Sequence, residues 1–301
     1  MKDALFLFNP HAGTGKIASG LATIMDTLTK AGFLVTAYPT QSKGDAFERI
    51  VQWGDLYERI IVAGGDGMLH EALNAMMKLK ERGTVPDLGY IPSGTTNDFA
   101  KTHKIPTTVD KAAKIAAGES RKTIDLGTFN GEYFSYVAAF GAGTDISYTT
   151  DQSAKNAFGY LAYLANGLKY IDPRTLSAVC REMEITTDDA IYTGSFILGA
   201  VSNSRSISGM KQLAPKDAKM DDGLLEGLFV RKPKNIIDLE QISNGLVLGN
   251  LNSSGIISVK SRRFEFKSKK EAAWTLDGES GGSHTTVEVE DVERCITMLM
   301  P

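Results

Sequence analysis

Gly64, Gly65, Asp66 and Gly67 follow directly on the β-branched run Ile60-Ile61-Val62 and precede Leu69, Leu73, Met76 and Met77 at three- and four-residue spacing. A short apolar run of this kind reads as a strand buried on both faces, and the later spacing reads as one face of a helix. Strand, glycine turn and helix start together aim bare backbone N–H groups and a positive dipole end at an anion, with phosphate the natural ligand. Asp66 would repel phosphate unless a cation stood between them, which points to Mg2+. The plain alternative is a glycine-rich turn that binds nothing.

Two further loops share this character. Asn9-Pro-His-Ala-Gly-Thr-Gly-Lys16 follows the apolar residues 4–8. Pro10 and Ile17 break the Walker A pattern, and Ala18 breaks the dinucleotide GxGxxG pattern, leaving a phosphate-approach loop that carries Lys16. Pro92-Ser-Gly-Thr-Thr-Asn-Asp-Phe-Ala100 follows the run 87–91. Gly94 keeps it small, Thr95, Thr96 and Asn97 offer groups for phosphate or ribose, and Asp98 could join a metal–water network with Asp66. Its bland reading is helix N-capping by Thr95 or Thr96.

Two acidic clusters lie later in the chain. Leu276-Asp-Gly-Glu279 places Asp277 and Glu279 either side of a glycine, where a sharp turn can point both carboxylates the same way; an Asp-Gly hairpin turn is the competing reading. Asp217, Asp222 and the backbone carbonyl of Met220 offer hard oxygen ligands in one loop, or else a solvated turn. The stretch 260–270, rich in Lys and Arg, alternates Phe264 and Phe266 with charged residues. It reads as a half-buried strand with a basic outer face, or as a surface drawn to anionic lipid. The four histidines show no ligand spacing.

The elements that position these residues alternate at short intervals through the first part of the chain. Strands at 4–8, 33–38, 60–62 and 87–91 are separated by helices that include 45–53 and 109–117. This is the pattern of a parallel sheet wound by helices, which binds ligands at the carboxyl ends of its strands. From about residue 122 the chain becomes strand-rich, with strands expected at 123–129, 133–140, 175–187, 192–201, 224–230, 256–267 and 273–276. Helices are expected around 158–170 and 236–248, and a last strand, 295–300, could return to the first part. The expected domains are an α/β domain of residues 1–127 plus 290–301 and a β-rich domain of residues 128–289.

Composition sets outer limits. The chain has 301 residues, 42% hydrophobic and 23% charged, enough for a full core in one large domain or two ordinary ones. A net charge of −3 gives no support to nucleic-acid binding through bulk charge. Cys180 and Cys295 form no CxxC pair and read as reduced thiols of a cytosolic protein. No apolar run approaches the ~18 residues of a spanning helix, so any contact with lipid is expected from the water side.

The set Asn9-Pro10, Gly64–Gly67, Pro92–Ala100 and Leu276–Glu279 resembles the soluble bacterial diacylglycerol kinases. It is also similar to the wider diacylglycerol, ceramide and sphingosine kinase catalytic domain. The resemblance spans essentially the whole chain. It implies an α/β plus β lipid-kinase fold: an N-terminal parallel-sheet nucleotide-binding domain, a C-terminal β-sandwich-like domain and a cleft between them. It further implies ATP phosphates on Gly64–Gly67 with Asn9, Lys16 and Thr95 nearby, Asp277 as catalytic base, and Glu279 orienting it. A structural Mg2+ would sit at Asp217, Met220 and Asp222. The acceptor would be diacylglycerol or a related lipid alcohol, reached by transient contact with the inner face of the membrane, and a homodimer is possible. Met68 departs from the family's Thr, a difference that bears on the strength of nucleotide binding. Two readings stay open beside it: an enzyme like NAD kinase, which shares the glycine loop, and a nucleotide-binding module without turnover.

Overall fold

The computed structural model describes residues 2–12, 15–95, 97–141, 180–204 and 221–301. The chain divides into two compact units, residues 1–124 with 294–301, and residues 125–293.

The first unit is built on a parallel sheet. Strands β1 (Lys2–Phe8), β2 (Phe33–Pro39), β3 (Arg59–Gly64) and β4 (Asp87–Pro92) lie in the order β2-β1-β3-β4. Phe6 of β1 sits beside Ala37 and Ile61, and Ile61 beside Gly89. Every residue of β3 is buried, as a strand covered on both faces requires. Helices α1 (Lys16–Lys30) and α5 (Val109–Ala117) cover one face, packing Ile17, Ile24, Leu28 and four alanines of α5 on Phe6, Phe8, Ile61 and Ile91. The alanines let α5 approach closely, and a Cβ at Gly89 would lie 2.9 Å from that of Ala116. Helices α2 (Asp45–Trp53), α3 (Asp66–Glu81) and the short α4 (Asp98–Thr102) complete the unit. Buried Arg59 stacks 4.6 Å from the Phe33 ring, donates to the Gly118 carbonyl at 2.8 Å and pairs with Asp87 at 3.4 Å. Burial lowers its pKa, with Asp87 and Glu119 opposing the fall.

The second unit is antiparallel. Strands β7 (Val137–Gly141), β8 (Arg181–Thr187), β9 (Ile191–Ser202), β10 (Leu225–Arg231), β11 (Ile256–Ser261), β12 (Arg263–Leu276) and β13 (Glu279–Leu299) pair along the path β11-β10-β9-β7-β12-β13, and β8 pairs with β9 and β12. A hairpin joins β5 (Arg121–Phe129) to β6 (Glu132–Phe134). Alternation sends Val137 and Ala139 towards α6 (Ile236–Leu248), whose Leu239, Ile242 and Leu246 pack there. Ala138 and Phe140 turn to an aromatic cluster with Phe196, Phe229, Phe264, Phe266 and Trp274. Strand β13 runs on past this unit, and its Met298 pairs in parallel with Leu88 of β4 in the first.

The expected strand 256–267 is in fact two, broken at Arg262. There the Asp188 carboxylate accepts from the Arg262 N–H at 2.7 Å, and the Ser261 hydroxyl donates to the Arg263 carbonyl at 2.7 Å. The expected strand 273–276 is the end of β12, continuous with residues 263–272. The expected helix 158–170 and the start of strand 175–187 fall outside the described residues. Among the described residues no helix is long and apolar enough to cross a membrane, and Cys180 and Cys295 form no disulfide.

Candidate active site

Three loops leave the carboxyl ends of β1, β3 and β4, which the parallel sheet brings to one edge of the first unit. The first loop is pinned at Asn9, whose N–H donates to the Ala63 carbonyl at 3.0 Å. Its side-chain Oδ1 accepts from the His11 N–H at 2.8 Å, closing an Asx turn. Gly15, at φ 73°, then starts α1 without a side-chain cap. Lys16 is the first residue of that helix.

The second and third loops touch through their backbones. A Cβ added at Gly94 would lie 2.6 Å from the Gly65 Cα, and one at Gly65 would lie 3.3 Å from the Gly94 Cα. Only glycine at 94 permits that approach. Gly65 starts α3 with no side-chain cap, so N–H groups of the first turn are left for another acceptor. Asp66 follows at once, and its Oδ2 accepts from the Asp98 N–H at 3.2 Å. Asp66 and Asp98 therefore do meet, through a carboxylate on one side and a main-chain donor on the other.

Asn97 holds the third loop in shape. At φ 50° it reaches back, its Oδ1 accepting from the Gly94 N–H at 2.9 Å and its Nδ2 donating to the Gly94 carbonyl at 2.7 Å. It also occupies the N-cap position of α4, in place of Thr95 or Thr96, although its side chain makes no capping bond. Thr95 is exposed and Thr96 lies outside the described residues. Burial raises the pKa of the Asp98 carboxyl, opposed by Lys101 at 3.7 Å.

Sequence reasoning missed Tyr90, whose hydroxyl donates to the Gly64 carbonyl at 3.2 Å. The Ser93 N–H donates to the same oxygen at 2.8 Å. Burial holds the Tyr90 hydroxyl well above its usual pKa, with the Asp66 carboxylate adding to the rise, so it remains a neutral donor. Nothing in an apolar run such as Leu88–Ile91 signals this; the bond depends on register between β3 and β4. Met68 packs over Gly64, where an added Cβ would fall 2.5 Å from the Met68 Cβ.

In the second unit, Asp277 and Gly278 form the two-residue turn between β12 and β13, with φ of 51° and 90° and Leu276 opposite Glu279. The Asp-Gly hairpin turn is therefore present. It is not exposed, since Asp277 keeps only 8% of its surface. Its Oδ2 accepts from the Ser135 N–H at 2.8 Å and the Ser135 hydroxyl at 3.1 Å. Its Oδ1 accepts from the N–H groups of Tyr136 at 2.9 Å and Val137 at 3.1 Å. Glu279 starts β13, half-buried.

Asp217 and Met220 lie outside the described residues. Asp291 lies near Asp125, Asp222 and Glu293. The Gly223 N–H donates to Asp125 Oδ2 at 3.1 Å. Asp222 Oδ1 and both carboxylate oxygens of Asp291 are buried with no hydrogen-bond partner among the described residues. Burial, then the neighbouring Asp125, Glu293 and Asp222 carboxylates, push Asp291 up to about 7, with Arg262 pulling the other way. Buried, unbonded carboxylate oxygens suit a hard cation. Among the described residues no three acidic, histidine or cysteine side chains converge as a metal site. The signal that could have found Asp125 is a lone charge between Ile124 and Leu126 of an apolar strand.

Part of the basic run 260–270 is paired with acids. Arg263 pairs with Glu288 and with Glu290, the latter at 3.3 Å, and Lys267 pairs with Glu265 at 2.9 Å. Phe264 and Phe266 are fully buried. This is a strand with a mixed-charge outer face.

Residues 3–129 match the family described as the diacylglycerol kinase catalytic domain. A diacylglycerol kinase of Bacillus subtilis strain 168 is 31% identical over 304 residues, covering 100% of this chain and 97% of its own. One from Staphylococcus carnosus is 32% identical over 285 residues, covering 93% and 90%. The crystal structure of a diacylglycerol kinase from Bacillus anthracis has a TM-score of 0.76 at 25% identity, covering 100% of this chain and 97% of that one. A second crystal structure from that organism, described as a candidate enzyme of the same activity, has a TM-score of 0.84 at 26% identity, covering 100% and 95%. Likeness along the whole length, with the glycine loops in place, makes the chain a member of the bacterial diacylglycerol kinase family and a lipid kinase.

Proposed function

We propose that this chain transfers the γ-phosphate of ATP, with Mg2+, to the free hydroxyl of diacylglycerol, giving phosphatidic acid. The observation that carries the reading is the backbone-to-backbone approach of Gly65 and Gly94 beside the uncapped start of α3. Two bare loops and a helix N-terminus together offer main-chain N–H groups to the phosphates. Gly64, Gly65 and Gly67 keep side chains out of the way, while Asn97 fixes Gly94 and Tyr90 fixes Gly64. Asn9, Lys16 and Thr95 stand on the loops of the same edge. Phosphoryl transfer depends mostly on positioning and charge neutralisation, and bound Mg2+ supplies the latter. Asp66, with Asp98 beside it, is the residue that would hold the cation at the phosphates.

In the second unit, Asp277 receives the proton of the attacking hydroxyl, with Glu279 next to it in the turn. Asp222, with Asp217 and the Met220 carbonyl, would hold a structural Mg2+. The enzyme works from the cytoplasm and meets its lipid by transient contact with the inner face of the membrane, as a homodimer.

The test is transfer of labelled γ-phosphate from ATP to diacylglycerol in mixed micelles, with and without Mg2+, for wild type and Asp277→Asn. Labelled phosphatidic acid from wild type alone, dependent on Mg2+, is the expected result. Labelling of NAD in place of lipid would overturn the acceptor, and ATP binding without any labelled product would overturn turnover.

A further inference from the structure

The acceptor geometry at Asp277 raises a difficulty for direct proton abstraction. A carboxylate offers about four in-plane lone-pair sites, two on each oxygen. Four donors already stand at them: Ser135 N–H and Ser135 Oγ–H on Oδ2, Tyr136 N–H and Val137 N–H on Oδ1. Three of the four are main-chain N–H groups, which hold their protons and cannot pass one on. The turn is further locked because the Asp277 N–H donates to the Val137 carbonyl at 2.9 Å. The fourth donor differs in kind. A serine hydroxyl can rotate, and it can accept one proton while releasing another.

We propose that Ser135 is a catalytic proton relay between the lipid hydroxyl and Asp277. The proposal rests on the kinase reading above and names a residue that reading does not use. In the step, the acceptor oxygen forms a bond to the γ-phosphorus, and the bond from that phosphorus to the bridging oxygen of ADP breaks, its electron pair leaving with ADP. The proton of the acceptor hydroxyl passes to Ser135 Oγ as the proton of Ser135 passes to Asp277 Oδ2 over the 3.1 Å hydrogen bond. Asp277 then holds one proton, Ser135 is again a hydroxyl, and the carboxyl later releases that proton to water. Ser135 and Asp277 keep 6% and 8% of their surfaces, so the pair is shielded from bulk water without being sealed. The backbone donors supply the rest of the design: three fixed N–H groups orient the carboxylate so that a lone pair of Oδ2 faces the movable Ser135 hydroxyl.

The full-length enzyme is assayed with ATP, Mg2+ and diacylglycerol micelles as wild type, Ser135→Ala, Ser135→Thr and Asp277→Asn. Ser135→Ala should lower kcat roughly 10²-fold, with KM for ATP and lipid within twofold, because general-base assistance carries effects of that order. Ser135→Thr, which restores a hydroxyl, should recover most of the rate. In mixtures of H2O and D2O the wild-type rate should curve with deuterium fraction, as two protons in flight require, and the residual rate of Ser135→Ala should fall on a straight line. A merely structural bond would move the melting temperature and leave the isotope behaviour alone. Ser135→Ala retaining kcat within twofold while Asp277→Asn is inactive would overturn the relay and leave the kinase reading standing. Wild type that labels no lipid would overturn both.

Discussion

Gly94→Ala and Gly65→Ala make a matched pair, because the same backbone contact is entered from opposite sides. At residue 94 the new methyl would stand 2.6 Å from the Gly65 Cα and 3.0 Å from Asn97 Oδ1. At residue 65 it would stand 3.3 Å from the Gly94 Cα, tight but within the few tenths of an ångström that a loop can give. Neither glycine has a positive φ, so alanine is conformationally admissible at both and the difference is steric. Ordinary contact begins near 3.4 Å, so Gly94→Ala must part the two loops by roughly 0.8 Å, with main chain on the far side and no flexible side chain to yield. Overpacking of this kind costs about 1–3 kcal/mol. A displacement near 1 Å at a positioning loop lowers the rate by about 10²-fold.

The assay is kcat and KM for ATP at saturating lipid, with a thermal melt for each variant. Gly94→Ala should lose roughly 10²-fold in kcat/KM for ATP and melt several degrees lower, while Gly65→Ala should stay within about fivefold of wild type. Equal losses in the two variants, or a Gly94→Ala enzyme within twofold of wild type, would refute the argument that backbone contact between these loops shapes the nucleotide site.

Two further outcomes follow from buried polar groups. Tyr90→Phe removes the donor to the Gly64 carbonyl but leaves the Ser93 N–H in place; about 1 kcal/mol of stability should be lost, with a severalfold rise in KM for ATP read from initial rates. Asp291 titrates near 7 in the folded chain against an ordinary 3.8, so the folded state binds the extra proton between those values. Stability should therefore fall as pH rises through that window. Asp291→Asn should melt higher than wild type at pH 8 and about equally at pH 4. Added Mg2+ should raise the wild-type melting temperature at pH 8 more than that of the variant, as followed by calorimetry.

How far the sequence revealed these sites depended on how local their causes are. The loop at residues 64–67 was legible because a buried strand, the glycines and the helix spacing are consecutive. Helices 45–53 and 236–248 were legible for the same reason, each carrying its apolar face in its own sequence. The break at Arg262 leaves only a faint trace in the sequence, a change of apolar phase from Ile257 and Val259 to Phe264 and Phe266, while its cause is a carboxylate at Asp188 that meets it only in the folded chain. The basic run 260–270 suggested a surface for anionic lipid. Whether such a run is neutralised depends on the cross-strand neighbour, and Arg263 lies opposite Glu290 in the register of β12 and β13. The four donors around Asp277 come from residues 135–137, about 140 positions earlier. No spacing rule reaches across that separation.

The two units solve the problem of placing chemistry in opposite ways. In the first, the proposed phosphate site rests on side chains that are missing: Gly65 and Gly94 expose main chain, and the polar side chains of Asn9, Asn97 and Tyr90 hold the loop backbone in place. In the second, main-chain N–H groups hold a side chain, and the carboxylate they fix at Asp277 is the group proposed above to take the proton. The consequences for substitution differ accordingly. At the glycine loops, adding a methyl is damaging while trimming a supporting side chain is graded, because other backbone bonds share the load. At the β12–β13 turn, Asp277 alone accepts from the N–H groups of Ser135, Tyr136 and Val137 among the described side chains. Its loss would leave three main-chain donors buried without an acceptor, at about 1–3 kcal/mol each. Replacement of Asp277 by alanine should therefore cost stability as well as activity. Asparagine keeps a carbonyl oxygen for two of these donors but sets its NH2 against the third, so it should cost less stability than alanine.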